Sequence, residues 1–178
     1  MKSARLFACA ALFVFAANAA PYGQQPPAAS ANPISDAIRL TWESAKRNLK
    51  ESAEQMSEAD YGFRPTEQVR TFGEILAHVA GANYVFCSPA RAEKSPHEEA
   101  DFEKTARTKA DITKALNESI AYCDAAYAAL TDKSAAESVG TQPRALTLIR
   151  NVGHLQEHYG NLVTYFRLKG MVPPSSRR

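Results

Sequence analysis

The sequence predicts an all-α fold, a four-helix bundle, and three observations lead to that fold class. Four segments carry apolar residues at spacings of three and four, the pattern of a helix that buries one face. Residues that favour helix ends stand at the segment boundaries. No segment shows convincing alternation of apolar and polar residues, which is typical of a strand. Helices of roughly 16 to 28 residues, joined by roughly ten to twenty, permit up-down topology or a crossover.

The first two predicted helices have clear apolar stripes. The first begins near Ser35, a favourable N-cap residue, and ends before the turn-like segment 58–65. Its stripe comprises Ile38, Trp42, Ala45, Leu49, Ala53 and Met56. The second helix opens at Thr71, and Glu74 follows at the spacing of a capping box. Pro89 marks its predicted end.

The third and fourth predicted helices complete the bundle. Thr108 starts the third, with Asp111 three residues later, and this helix has the cleanest period in the chain. Its apolar residues are Ile112, Leu116, Ile120, Cys123, Tyr127 and Leu130. The fourth opens at Pro143, which a first turn tolerates, and ends at Gly170 before two prolines. Its apolar residues are Leu146, Ile149, Val152, Leu155, Leu162, Phe166 and Leu168.

The segments outside these helices define the domain organisation. Residues 34–174 form one predicted domain, long enough to bury a hydrophobic core. Residues 20–33, rich in Pro, Gln and Ala, are predicted to be a flexible linker, and residues 175–178 a loose tail. The polar segments 91–104 and 134–140 are predicted to be surface loops.

The first 19 residues have the pattern of a signal peptide. A short basic start precedes the uncharged apolar run 6–17, and Ala-Asn-Ala at 17–19 fits a cleavage site. The run is too short to span a bilayer, although an uncleaved membrane anchor is the alternative interpretation. We therefore expect a protein exported to the periplasm or secreted, without a stable membrane anchor after cleavage.

The charge of the chain bears on its partners. The full sequence has 21 basic and 19 acidic residues, a formal net charge of +2. Cleavage after residue 19 would remove Lys2 and Arg5 and no acid, which leaves the mature chain neutral. A neutral chain without a dense Lys/Arg run lacks the electrostatic footprint of a nucleic-acid-binding protein. We expect no nucleic-acid partner, and a small-molecule substrate or ligand of unknown identity.

The mature chain keeps two cysteines, Cys87 and Cys123, each on or near the end of a predicted helix. An even number of cysteines in an exported protein favours a disulfide, here one that joins two helices. Two buried free thiols are the alternative. A cysteine-containing metal site ranks third, because neither cysteine has another ligand at the short spacing that is usual in such sites.

Three histidines form the candidate functional site. His154 and His158 are four residues apart on the fourth predicted helix, so both side chains lie on one face, with Cβ atoms roughly 5–6 Å apart. His78 lies in the apolar part of the second helix and can complete the set. Neutral imidazole binds Zn, Cu, Fe and Ni, and facing helices of a bundle often build such sites. The alternative is three core histidines that bond to their neighbours.

Other candidate residues surround this set. Glu157 completes the string His-Leu-Gln-Glu-His, which matches the signature of a zinc protease class in which the glutamate activates water. That class needs a further downstream ligand, so Glu157 is kept only as a candidate acid or base. Glu74 lies one turn before His78, but capping explains it adequately. His97 lies in a predicted loop and is left out of the site.

The order of these motifs resembles a known family. A Phe-Gly-Glu-x-x-x-His helix (72–78) is followed by a loop, a third helix and His-x-x-x-His-Tyr-Gly-x-Leu (154–162). This order resembles the DinB-like superfamily of metal-binding four-helix bundles, also called the DinB/YfiT-like family. The turn Tyr-Gly-Phe-Arg-Pro (61–65) and the ending Leu-Lys-Gly-x-Val-Pro-Pro (168–174) are similar to its exported branch. The resemblance covers residues 34–174.

The resemblance implies a metal site with one histidine on the second helix and two on the fourth. Those positions fall on His78, His154 and His158. It also implies a frequent homodimer, and a metal such as Zn or Ni that activates mycothiol or bacillithiol in transferases and isomerases. This chain departs from the family in its predicted export. Low-molecular-weight thiols are cytosolic, so an exported protein is not expected to use them as substrates. The expectation therefore moves towards metal-bound water as the nucleophile, or towards no catalysis.

Two functional hypotheses and a third alternative follow. The first is a metal-dependent hydrolase or group transferase that acts on a small molecule through one divalent ion, with Zn first and Ni or Fe as alternatives. The second is a non-catalytic bundle that captures a metal or a metal-bound ligand. The third is a helical scaffold without a metal.

Overall fold

The computed structural model describes residues 30–177. Its helices are α1 (Pro33–Gln55), α2 (Phe72–Ala90), α3 (Asp101–Thr105), α4 (Lys109–Ala128), α5 (Asp132–Ala136) and α6 (Arg144–Leu168). The two-residue strands β1 (Ser138–Val139) and β2 (Gln142–Pro143) pair antiparallel, and 3-10 turns cover Glu58–Asp60 and Pro174–Ser176. The long helices α1, α2, α4 and α6 form the predicted four-helix bundle. The predicted signal peptide and residues 20–29 of the linker lie outside the described residues.

Helix α2 is the most enclosed element of the bundle. It packs against α4 and α6, which both also contact α1, so α1 and α2 lie on opposite sides of the bundle. The short helix α3 packs against α2 as well. Fifteen of the 19 residues of α2 are therefore buried. His78 lies within this buried stretch, which explains how a polar side chain comes to lie inside the fold.

Aromatic pairs hold the core of the bundle together. The Trp42 and Tyr127 rings stack between α1 and α4, with centroids 4.4 Å apart. Phe72 and Phe166 meet edge to face between α2 and α6, at 5.5 Å. Trp42 Nε1 donates a hydrogen bond to Asp124 at 2.7 Å, so the buried indole keeps a polar partner. Within residues 30–177, no helix combines the length and hydrophobicity that crossing a bilayer requires.

A disulfide joins Cys87 on α2 to Cys123 on α4, with the Cα atoms 5.3 Å apart. The disulfide that the sequence analysis favoured over free thiols and a metal site is therefore present in the structure. Both residues are fully buried. The Asn151 amide nitrogen on α6 lies 3.1 Å from Cys87 Sγ and 3.3 Å from Cys123 Sγ, so three helices meet at the bridge.

The predicted capping residues at three helix ends are confirmed. Thr71 and Glu74 form a reciprocal capping box at the start of α2, and Thr108 and Asp111 form another at the start of α4. Gly170 follows α6 with a φ of +70°, a left-handed conformation that glycine adopts without strain. These ends set where α2 begins and where α6 stops, and therefore where their histidines lie along the bundle axis.

Other predicted boundaries differ from the observed ones by one or two residues. Ser35 is buried inside α1, which begins at Pro33, because proline at the first position needs no hydrogen-bonded N–H. Pro89 lies within the last turn of α2 instead of ending it, and Pro143 precedes α6. The C-terminal segment forms a 3-10 turn, and the Ser175 N–H donates to the Tyr159 hydroxyl.

The two predicted loops contain regular structure. Segment 91–104 includes most of α3, and segment 134–140 includes the end of α5 and the strand β1. Helices of five residues and strands of two give no periodic signal in a sequence, since a period needs several turns to be recognised. The first of these segments also contributes acidic side chains to the candidate site.

Candidate metal centre

Three histidine side chains from two helices converge on one point. His78 Nε2 on α2 lies 3.1 Å from His154 Nε2 on α6, and His158 Nε2 lies 3.1 Å from the same atom. The ligand atoms of the three residues all lie within 4.8 Å of one another. Among residues 30–177 this is the one group of three or more potential ligands so placed. The structure therefore brings the three predicted metal ligands together.

The local sequence explains this convergence. His154 and His158 share one face of α6 because they are four residues apart. That face turns towards α2, since the neighbouring residue Leu155 and the following Leu162 are fully buried in the bundle. α2 packs directly against α6, and its buried residue His78 meets them from the other side.

A carboxylate and an arginine orient His78 from behind. His78 Nδ1 lies 2.8 Å from Glu103 Oε1, and the Arg70 Nε–H donates to Glu103 Oε2 at 2.9 Å. A proton held on Nδ1 by Glu103 leaves the Nε2 lone pair free to face the other histidines. Burial raises the pKa of the Glu103 carboxyl, but the hydrogen bonds and charges of Arg70 and His78 outweigh it and leave that pKa below its usual range.

His154 and His158 are held in the neutral form. Burial, reinforced by the neighbouring histidines, lowers the pKa of each ring from 6.5 to about 4. Their Nδ1 atoms are buried, and neither has a hydrogen-bond partner within residues 30–177. Neutral imidazole is the form that binds a metal.

The donor set fits a divalent metal ion. Two nitrogens that bind one tetrahedral zinc at about 2.0–2.1 Å stand roughly 3.3 Å apart, close to the observed 3.1 Å contacts. A neutral ring that binds a metal through Nε2 carries its proton on Nδ1, so three such rings could direct their Nε2 lone pairs at one cation. The three-histidine group can therefore hold a metal ion.

A cleft of about 710 Å³ opens beside this group, with His158 in its wall. Its other lining residues are Pro65, Thr66, Gln68, Val69, Arg70, Ile75, Asn161, Thr164 and Tyr165. The wall mixes apolar side chains with hydroxyl, amide and guanidinium groups, which is the usual character of a small-molecule site. The volume suits a small molecule and not a folded partner.

The site contains residues that the sequence analysis did not single out. Glu103, Arg70 and Glu99 surround His78, and Glu99 Oε1 lies 3.6 Å from His78 Nε2. Two of the three belong to segment 91–104, which was predicted to be a plain surface loop. The acidic composition of that segment was a visible signal, but nothing in sequence spacing connected it with His78.

The remaining candidates lie away from the three histidines. The Glu74 carboxylate accepts a hydrogen bond from the Thr71 N–H at 2.7 Å, as the capping box requires. His97 packs against the Tyr84 and Phe102 rings, at centroid distances of 4.7 and 4.8 Å. Glu157 is exposed on α6 and, in the described part of the chain, makes no hydrogen bond or ion pair with the site. Its proposed role as an acid or base stays a prediction.

Comparison with known proteins places the chain in a family. Residues 41–162 match the family model of the DinB superfamily. No functionally curated protein matches the chain. Among solved structures, a DinB-like protein from Bacillus cereus superposes with a TM-score of 0.63 at 14% identity, over 78% of this chain and 95% of that one. A conserved protein from Enterococcus faecalis gives 0.62 at 14% identity, over 76% and 96%.

A third structural neighbour is an enzyme of known activity. The mycothiol-dependent maleylpyruvate isomerase superposes with a TM-score of 0.60 at 14% identity, over 72% of this chain. The match spans 60% of the isomerase, so a large part of that enzyme has no counterpart here. At this identity, the three likenesses concern the fold alone.

Proposed function

This chain belongs to the DinB superfamily, and we propose that it binds one divalent metal ion through His78, His154 and His158 for hydrolysis or group transfer on a small molecule. Zinc is the first choice, with nickel or iron as alternatives, because three imidazoles suit all of them. The observation that carries the proposal is the convergence of three Nε2 atoms on one point, with 3.1 Å contacts. Three protein ligands leave a coordination position open, which is typical of catalytic zinc sites.

The residues around the histidines have separate tasks in this proposal. Glu103 holds the Nδ1 proton of His78 and fixes the orientation of the ring, and Arg70 neutralises Glu103. In this proposal a substrate reaches the histidines through the cleft that His158 lines. The chemistry that a metal supplies when bound is Lewis-acid activation, which polarises a substrate and lowers the pKa of a water or thiol.

A second candidate function is capture of a metal or a metal-bound ligand without turnover. The observation that favours it is the exposed position of Glu157, since within residues 30–177 this candidate base makes no hydrogen bond or ion pair with the three histidines. A binding module needs the three ligands and the cleft but no group aimed at a reacting atom. The two candidates therefore differ in turnover and not in metal content.

We also propose that the chain acts outside the cytoplasm. The buried Cys87–Cys123 disulfide supports this location, because disulfides persist in oxidising compartments. The predicted signal peptide, residues 1–19, lies outside the described part of the chain. The family resemblance also suggests a homodimer. Light scattering on the mature chain measures its oligomeric state.

The decisive experiment measures metal content by mass spectrometry on untagged mature protein. The variants are His78→Ala and the double variant His154→Ala/His158→Ala. His97→Phe is the matched control, because it removes an imidazole outside the three-histidine group and keeps a ring between Tyr84 and Phe102. We expect about one equivalent of metal in the wild type and in the control, and none in the two site variants. A wild type that stays empty when offered zinc, nickel and iron would overturn both candidate functions and leave a helical scaffold.

Turnover separates the two candidates once metal is bound. Esters, amides, phosphoesters and thiol-transfer acceptors are offered to the metal-loaded and metal-stripped protein; thiol acceptors are included because one structural neighbour is a mycothiol-dependent isomerase. Metal-dependent turnover that His78→Ala abolishes supports the enzyme. Binding of small molecules without turnover supports the capture module.

A further inference from the structure

We propose that Glu99 supplies a fourth, exchangeable ligand to the metal held by the three histidines. This inference rests on the proposed metal site and adds a carboxylate from outside the long helices. A site of three imidazoles and one carboxylate is closed when Glu99 binds, and it opens when a substrate displaces that side chain. The protein would then control access to its metal through a single carboxylate.

The first observation is the side of the His78 ring that Glu99 contacts. Glu103 takes the Nδ1 side at 2.8 Å, whereas Glu99 Oε1 lies 3.6 Å from Nε2, the atom that faces His154. The two carboxylates therefore lie on different sides of one imidazole. Glu103 is placed to orient the ring, and Glu99 is placed on the side where a metal would bind.

The second observation is a close backbone approach that brings Glu99 there. Gly81 lies one turn after His78 on α2, and a Cβ at this position would stand 1.9 Å from the carbonyl oxygen of Glu99. Only glycine leaves room for the segment to cross α2 here. A glycine inside a helix destabilises that helix relative to alanine. The helix carries this residue where the contact with Glu99 requires it.

The third observation is that the crossing segment is anchored on both sides of Glu99. Before it, the His97 ring packs between the Tyr84 and Phe102 rings. The hydrogen bond from the Glu98 N–H to Asp101 Oδ2, at 2.8 Å, then joins the residue before Glu99 to a residue after it. These contacts hold the backbone at Glu99 independently of any metal.

The charge and freedom of the Glu99 side chain suit an exchangeable ligand. Among residues 30–177 no lysine or arginine pairs with it, so its charge is not already neutralised by a fixed cation. Its side chain is 50% exposed, which leaves it free to rotate. Glu99 is 3.6 Å from His78 Nε2 but does not belong to the group of ligand atoms within 4.8 Å of one another, so its side chain must rotate towards His154 and His158 to bind the same ion.

The test uses cobalt(II) as the probe, because its visible absorption reports the number and type of ligands. Mature wild type, Glu99→Gln and Glu98→Gln are loaded with cobalt, and zinc affinity is measured in parallel by competition with a chromogenic chelator. Glu98 is the matched control, since it is the neighbouring exposed acid on the same segment. Glu99→Asp, with a shorter reach, is the graded variant.

We expect Glu99→Gln to shift the cobalt absorption bands and to weaken zinc binding at least 10-fold, the lower end of what losing a supporting carboxylate costs at metal sites. Glu98→Gln should match the wild type, and Glu99→Asp should fall between. Identical spectra and affinities for wild type and Glu99→Gln would overturn the fourth ligand while leaving the three-histidine site intact. A wild type that binds neither cobalt nor zinc would overturn this inference together with the proposed function.

Discussion

Two neighbouring layers of the bundle, one made of histidines and one made around a disulfide, share helices α2 and α6. The histidine layer consists of His78, His154 and His158. The disulfide layer consists of Cys87, Cys123 and Asn151, and Asn151 precedes His154 by less than one turn of α6. In the disulfide layer all three residues are fully buried, and the Asn151 amide nitrogen contacts both sulfurs. Each layer contains buried polar atoms without a hydrogen-bond partner within residues 30–177, Asn151 Oδ1 in one and two histidine Nδ1 atoms in the other, and the histidine layer also borders a cleft.

The difference shows how one fold divides its work. A buried polar group left without a partner costs roughly 1–3 kcal/mol, and a metal bound at the Nε2 atoms would not remove that cost at the histidine Nδ1 atoms. The disulfide restricts the unfolded chain and so contributes stability to the fold. Stability and metal binding should therefore respond to different substitutions.

The largest effect on stability should come from the disulfide layer. The variant Cys87→Ser/Cys123→Ser opens a loop with a sequence separation of 36 residues. Loop-closure entropy predicts a loss of about 3–4 kcal/mol in the free energy of unfolding. Chemical denaturation measures that loss. Metal content should stay near one equivalent, and a variant that loses its metal while remaining folded would show that the two layers are not separable.

The second effect should appear in metal affinity and not in stability. Glu103→Ala removes the acceptor behind His78 and leaves the ring free to rotate. We expect zinc affinity to fall about 10- to 100-fold, the range measured for partners that orient metal ligands. Lys104→Ala is the control, because it changes an exposed neighbour on α3. Equal affinity in the two variants would mean that the Glu103 contact has no role in binding.

The third effect compares two glycines in long helices. Gly81→Ala places a Cβ against the Glu99 backbone and should destabilise the chain by about 1–3 kcal/mol, as overpacking does. Gly160→Ala on α6 meets no atom within 4 Å and should stabilise it by about 0.5–1 kcal/mol. Thermal unfolding of both variants gives the two signs. Stabilisation by Gly81→Ala would contradict the close crossing of segment 91–100 over α2.

The smallest effect should come from Glu157. Because its side chain is exposed and makes no hydrogen bond or ion pair in the described chain, Glu157→Gln should change stability by less than about 0.5 kcal/mol. Metal content should stay at one equivalent. Loss of turnover in this variant, with metal retained, would instead assign Glu157 the acid or base role that its sequence position suggested.

The sequence predicted the histidine layer better than its surroundings for a physical reason. His154 and His158 follow from the period of one helix, and His78 follows from an apolar segment with a readable capping box. Glu99 and Glu103 could not be predicted in the same way. Their segment contains a helix of only five residues, and its position depends on a contact with Gly81 that sequence spacing does not encode.

The disulfide layer shows the same division. The pairing of Cys87 with Cys123 was predicted from an even count of cysteines in a chain expected to be exported. The contact of Asn151 with both sulfurs was not predicted, because a polar residue on a helix gives no sign of its tertiary partner. Local periods and the partners of like residues, cysteine with cysteine and histidine with histidine, could therefore be predicted from the sequence, whereas the tertiary partners of Glu99, Glu103 and Asn151 could not.

The most direct test of the account is zinc K-edge X-ray absorption on the zinc-loaded mature chain. For zinc bound by the three histidines we expect nitrogen and oxygen neighbours at about 2.0–2.1 Å, with the outer-shell scattering of three imidazole rings. His97→Phe, which keeps a ring between Tyr84 and Phe102, should leave that spectrum unchanged, and His78→Ala should remove it. Sulfur neighbours at about 2.3 Å would place the metal at the cysteines and contradict the assignment of the site to the histidine layer.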